Sequence, residues 1–234
     1  WAPGMAAITG VPGGLEYLST LSHIFIKQHV ETFEVLTGID TANRYSVYDP
    51  LGRRMFIAYE NSSQLGRDIF GCHRDFAMHA IDGASRELFR FHRRIIGNQM
   101  IVEAPVGRNV GVVQQMAQMS LMRYQSSFIV NGISGAITLQ NTSGGPVWNV
   151  FVNGVLSGQL VKTFAGLGKE LHTKADNYML TFPLTLPPDL KVLLIAAGIL
   201  IDFTFFEETP PAQRGYGYGG RYGGRRSRYV NGYG

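Results

Sequence analysis

The chain has 234 residues, 45% of them hydrophobic and 16% charged, which is enough apolar material for one domain of moderate size with tails. The formal charge of +4 is uneven: the last 26 residues hold five arginines and no acid, and the remainder carries 16 basic and 17 acidic residues. A near-neutral body excludes a whole-domain basic footprint for nucleic acid, and the single cysteine, Cys72, excludes an intramolecular disulfide and thiolate metal sites.

The first residues, WAPGMAAITGVPGG, contain no basic stretch followed by an apolar one, so no secretory signal is visible. Residues 1–14 read as a Gly/Pro-containing lead-in, 15–208 as the folded domain, and 209–234 as a low-complexity tail behind Pro210 and Pro211. In LEYLSTLSHIFIKQ, Leu15, Leu18, Leu21 and Phe25 fall near one face and predict an early helix, although Ile24 and Ile26 blur the period.

Strands joined by tight turns follow. Arg44–Tyr48 and Arg53–Glu60 flank Asp49-Pro50-Leu51-Gly52, and Phe76–Ile81 and Ser85–His92 flank Asp82-Gly83. Ser127–Val130 and Ala136–Gln140 flank a turn beginning Asn131-Gly132, and Trp148–Val152 and Val155–Val161 flank Asn153-Gly154. Asn-Gly and Asp-Gly pairs tolerate positive φ at both central positions, which makes them strong hairpin signals. Several hairpins in series form a meander that must close or pack on something.

The segment 192–206, VLLIAAGILIDFTFF, is apolar without a break from Val192 to Ile201 and then meets Asp202. Its apolar members are Val192, Leu193, Leu194, Ile195, Ile199, Leu200, Ile201, Phe203, Phe205 and Phe206. A bilayer-spanning helix needs about 20 apolar residues, and an Asp near mid-membrane adds about 2.5–3.5 kcal/mol. A helix apolar on all sides must still be enclosed. With strands available to surround it, the expectation is a core helix sheathed by protein.

No chemistry of bond cleavage is visible. The six histidines do not pair at metal-ligand spacing, GLGKEL at 166–171 lacks the full phosphate-loop pattern, and no nucleophile–base–acid order stands out. The expectation is a protein that is not an enzyme.

Four stretches, in order, resemble the phospholipid scramblase family: GLEYL at 14–18, EVLTGIDTANRYSV at 34–47, FGCHRDF at 70–76, and ADNYMLTFPLTL at 175–186 followed by GILIDFTFFEE at 198–208. The resemblance implies a mainly β, tubby-like fold: a closed barrel, commonly of twelve strands, wrapped around a hydrophobic C-terminal helix. It implies ATP-independent, bidirectional movement of phospholipids at the cytoplasmic face of the plasma membrane or other membranes.

Two departures bear on partners. The family's EF-hand-like calcium loop falls on 174–185, where Lys174, Tyr178, Met179 and Thr185 replace key ligand and turn positions. Only Asp176 and Asn177 remain as good oxygen donors, whereas Ca²⁺ takes about six to eight oxygens, so calcium binding is expected to be weak or absent. The segment also reads as a strand edge with Tyr178, Leu180 and Phe182 alternating inward. The family's acylated cysteine run is replaced by RRIIGN at 93–98. Arg93 and Arg94, with Arg90, are candidate contacts for anionic lipid at roughly 1 kcal/mol each, or simply solvated strand positions.

In the tail, Arg214, Tyr216, Tyr218, Arg221, Tyr222, Arg225, Arg226, Arg228 and Tyr229 alternate with glycine. Arginine and tyrosine offer cation–π and stacking contacts, so weak RNA binding, homo-oligomerisation or plain disorder all fit. The alternative to lipid movement is a structural or interaction module that self-assembles through barrel and tail.

Overall fold

The computed structural model describes residues 15–29, 43–61, 75–116, 126–143, 145–163 and 177–206. Within them, a single turn of helix, α1 (Glu16–Ser19), precedes β1 (His23–His29), β2 (Arg44–Tyr48), β3 (Arg54–Asn61), β4 (Phe76–Ile81), β5 (Glu87–Arg94) and β6 (Gln99–Glu103). Then come β7 (Asn109–Gln115), β8 (Ser126–Gly132), β9 (Gly135–Asn141), β10 (Val147–Val152), β11 (Val155–Thr163), β12 (Asn177–Thr181) and the helix α2 (Pro188–Phe205). Each strand pairs antiparallel with its neighbours in sequence, and β1 pairs with β12 to close a twelve-strand barrel.

The anticipated closed barrel around a C-terminal helix is therefore the observed architecture. The turn signals mark its hairpins: Asn153 and Gly154 both take positive φ between β10 and β11. The anticipated early helix shrinks to α1. Ile24 and Ile26 follow a two-residue period, and β-branched side chains fit a pleated strand better than a helix, so the chain after Leu21 enters β1. β6 and β7, which lack an Asn-Gly or Asp-Gly marker, complete the wall. The strand holding Asn177 is not an edge: β12 is bonded on both sides, to β1 and β11.

Inward-facing residues of the strands meet α2 along the barrel axis. The helix begins four residues earlier than the apolar run, and Pro188, at its first turn, suits a position whose N–H needs no helical partner. Everything from Asp189 to Phe203 is buried. Val192, Leu193, Leu194, Ile195, Ile199, Leu200 and Ile201 are fully enclosed. At roughly 2 kcal/mol per aliphatic side chain removed from water, before conformational entropy, this helix is a main source of cohesion. It packs most closely on β6, β7 and β8. There the wall comes very near: a Cβ on Gly111 would lie 2.2 Å from the Asn131 carbonyl oxygen and 2.8 Å from Leu193 Cδ1.

The barrel has two distinct ends. At the entry end, where α2 goes in, the turns joining β2–β3, β4–β5, β6–β7, β8–β9 and β10–β11 lie beside α1 and the segment after β12. At the exit end, the last turn of α2 reaches the starts of β2 and β12 and the ends of β5 and β11.

Candidate functional site

The helix that the apolar run promised is fastened at both ends by charged groups. At the exit end, the buried Asp202 carboxylate accepts hydrogen bonds from the Tyr45 hydroxyl at 2.7 Å and the Tyr178 hydroxyl at 2.5 Å. Lys162 Nζ lies 3.4 Å from the same carboxylate, and both side chains are sealed from solvent, at 2% and 1% exposure. The Lys162 ammonium also sits 3.4 Å from the centre of the Phe206 ring, a cation–π contact in a dry setting. A buried ion pair of this kind gives little net stability, but separating its members is strongly unfavourable.

Neighbouring groups extend this belt. Arg93 is 6% exposed, and its guanidinium carbon lies 5.7 Å from the Phe76 ring and 5.4 Å from the Phe203 ring. Its Nη2 donates to Asn98 Oδ1, and Asn98 Nδ2 donates to Thr204 Oγ1 on α2 at 2.9 Å. The Trp148 indole donates to Ser126 Oγ and packs near Phe205. Phe205 and Phe206, read from the sequence as part of the apolar rod, are partly exposed at the exit rim, and α2 ends at Phe205.

At the entry end, Asp189 accepts a hydrogen bond from the Ser134 backbone N–H. The fully buried Lys191 ammonium donates to the carbonyls of Leu21 at 2.8 Å, Leu18 at 2.9 Å and Leu184 at 3.0 Å. It thereby ties α2 to α1 and to the segment after β12. Burial pushes Lys191 down to about 8, because the charged form is desolvated while its acceptors are neutral carbonyl dipoles. Asp202 was visible as a charge ending the apolar run. Lys191 and Lys162 were missed, yet Lys162 shares the parity of buried Leu160 in β11, and that alternation was the available signal.

The three arginines read as lipid contacts do not act together. Arg93 turns into the barrel and is corrected to an interior residue, since it shares the parity of Phe89 and Phe91 on β5. Arg90 is held by Glu87 through Nε at 2.9 Å and Nη2 at 2.7 Å, which keeps the Glu87 carboxyl below its usual range. Arg94 is exposed and reaches Asp75 at 3.2 Å. Of the degraded calcium loop, Asp176 lies outside the described residues. Asn177 begins β12, and its Oδ1 finds no hydrogen-bond donor among the described residues. Tyr178, Leu180 and Phe182 point inward as the alternation requires. Among the described residues no group of three or more His, Cys, Asp or Glu could hold a metal. Cys72 and the tail residues from Arg214 to Tyr229 lie outside the described residues.

No helix among the described residues is long and apolar enough to cross a membrane. A closed antiparallel barrel whose interior is occupied by its own apolar C-terminal helix defines a class of helix-filled β-barrel proteins. Comparison with known sequences makes the assignment narrower. The Scramblase family model matches residues 2–208, and the chain belongs to that family. Human phospholipid scramblase 1 is 30% identical over 224 residues, covering 89% of this chain and 70% of that protein. Bovine phospholipid scramblase 2 is 31% identical over the same length, covering 89% and 76%, and human phospholipid scramblase 2 is 30% identical, covering 89% and 75%.

Proposed function

We propose that this protein moves phospholipids in both directions between bilayer leaflets without ATP, acting at the cytoplasmic face of the plasma membrane or another membrane. The observation that carries the reading is the match to scramblases along nearly the whole barrel and its helix. No covalent step is needed: lipid translocation breaks no bond, and its barrier is passage of the polar headgroup through the hydrocarbon.

The filled barrel directs the mechanism. With α2 along the axis and Lys191 and Asp202 fastening its two ends, lipid does not travel through the barrel; it moves along an outer surface or between assembled copies. Drawing α2 out would leave Lys162 buried without Asp202, strip Lys191 from its carbonyl acceptors and bare the apolar helix, which makes an intact barrel the working form. Arg94 is the remaining candidate among the three arginines for an anionic headgroup. Calcium plays little part, because the loop at 174–185 keeps few oxygen donors.

A second reading has one observation in its favour: α2 fills the barrel interior, so no lipid path runs through it. The protein then serves as a non-transporting module that assembles through its barrel and its Tyr/Arg/Gly tail, the tail also being the place for any weak RNA contact. Reconstitution into liposomes carrying a labelled phospholipid decides between them. The transport reading expects faster loss of outer-leaflet asymmetry than in protein-free liposomes, with or without calcium. Equal rates would sink it.

A further inference from the structure

The entry end of the barrel has an uneven surface. In strand order, the β8–β9 turn, the β10–β11 turn, the segment after β12 and the β2–β3 turn follow one another around the rim, with the start of β1 between the last two. They present Ile133 (60% exposed), Val155 (66%), Leu156 (56%), Leu184 (56%) and Leu51 (75%). The other exposed residues of these turns are Asn, Ser, Thr, Gly and Ala.

Formal charge is sparse in this sector: Arg53 and Arg54, both partly exposed, follow the β2–β3 turn. Asp49 is buried and paired with Arg53 at 2.7 Å, while Asp189 and Lys191 are sealed beneath the surface. The opposite part of the same rim is basic: Arg86 and Arg108 are exposed on the β4–β5 and β6–β7 turns, Arg86 beside Asp82. Single exposed apolar side chains are ordinary. Five on consecutive turns, with the partly exposed Arg53 among them offset by its pairing with Asp49, form a patch that marks an interaction surface.

We propose that this entry-end rim seats the protein on a phospholipid bilayer. The five aliphatic tips enter the boundary between headgroups and acyl chains, and Arg86 and Arg108 lie alongside at headgroup level. A bilayer fits better than a protein partner for two reasons. The tips stand on short turns, one or two to a turn, so they can slip between headgroups without forming one flat face. Their fully exposed neighbours are small and neutral, and the partly exposed Arg53 is held to Asp49, so entry desolvates little charge. The inference deepens the lipid-transport reading by naming the face that meets the lipid.

The test is co-sedimentation of the full chain with phosphatidylcholine vesicles containing a minor share of phosphatidylserine. Leu184→Asp, and Val155→Asp with Leu156→Asp, should each weaken partitioning about tenfold or more, since Asp is among the residues most resisted by the membrane. Ile96→Asp, at a still more exposed apolar tip on the exit end, should change it less than about twofold. Leu156→Trp should bind at least as tightly as the parent, with its emission shifted to the blue on vesicle addition. Binding should persist from about 0.1 M to about 0.5 M salt, because apolar contact is not screened.

Rim variants that fold and partition like the parent would overturn the proposal, as would loss of binding confined to Ile96→Asp or to high salt. Rim substitutions that dissolve a dimer seen by light scattering, with vesicle binding unchanged, would give the rim to a second copy instead. Flip rates are scored separately. Rim-dependent binding without lipid movement would remove the transport reading and leave the docking face standing.

Discussion

Leu193→Ala tests the central packing relation. Leu193 is fully buried, and its Cδ1 fills the notch made by Gly111 on β7 and Gly132 on β8. The substitution deletes three carbons, roughly 2.4 kcal/mol at about 0.8 kcal/mol per buried methylene. The ladder between β7 and β8 keeps the wall from collapsing into the gap, so a cavity contribution on the order of 1–2 kcal/mol adds to it. The expected loss is about 3–4 kcal/mol, read as a lower urea midpoint at unchanged slope, or about a 10 °C fall in Tm. Gly132→Ala supplies the second side of a double-mutant cycle. Its Cβ would sit 2.8 Å from Leu193 Cδ1 and 2.6 Å from Leu190 Cδ2, and overpacking alone should cost about 1–3 kcal/mol. With Leu193 shortened, part of that strain goes, so the double variant should be about 1 kcal/mol better than additive. A loss below about 1 kcal/mol for Leu193→Ala, or strict additivity, would refute the seating of α2 against this wall.

Gly111→Ala should be at least as damaging and should not be relieved by Leu193→Ala, because the added Cβ meets the Asn131 backbone oxygen; soluble yield and melting temperature report it. His29→Gln should make the protein less sensitive to acid. Burial first, then Arg44, Lys27 and Arg54, push the His29 imidazole down to about 4. The unfolded chain therefore binds the proton more readily, and stability is lost as pH falls from about 6.5 through about 4, by about 1–2 kcal/mol after allowing for partial exposure. Denaturation midpoints across that window should converge for the two proteins at neutral pH; equal acid slopes would remove His29 as the cause. Calcium at about 1 mM, the weak end of known protein sites, should leave both Tm and flip rate unchanged; a clear calcium-dependent rise would restore the loop at 174–185 as a ligand set.

Much of the architecture was legible because tight turns and period-two burial are local signals. Asn153-Gly154 and Asp49-Pro50-Leu51-Gly52 marked hairpins without reference to the rest of the chain. The early helix failed where two patterns overlapped: Leu15, Leu18 and Leu21 keep helical spacing, but Ile24 and Ile26 belong to β1. The enclosure of α2 followed from an apolar run too short for a bilayer and interrupted by Asp202. Its fastening did not, because Lys191 finds its acceptors at Leu18 and Leu21, more than 160 positions away in the chain. Arg93 looked like surface charge beside Arg94. Only the register of β5 shows that successive side chains there face opposite sides of the wall. The apolar tips at Leu51, Ile133, Val155, Leu156 and Leu184 were equally hidden, since closure of the barrel is what gathers them at one end.

Placing the axial helix last in the domain has a consequence for synthesis. The first strand waits for the twelfth to complete the wall, with His23 opposite Thr181, and the filling arrives only after that. Nascent sheet must therefore persist hollow and greasy until translation has passed Phe205. Folding rate is then set by long-range closure rather than local hairpin formation, and chains interrupted before Pro188 should be handed to chaperones or proteases instead of maturing.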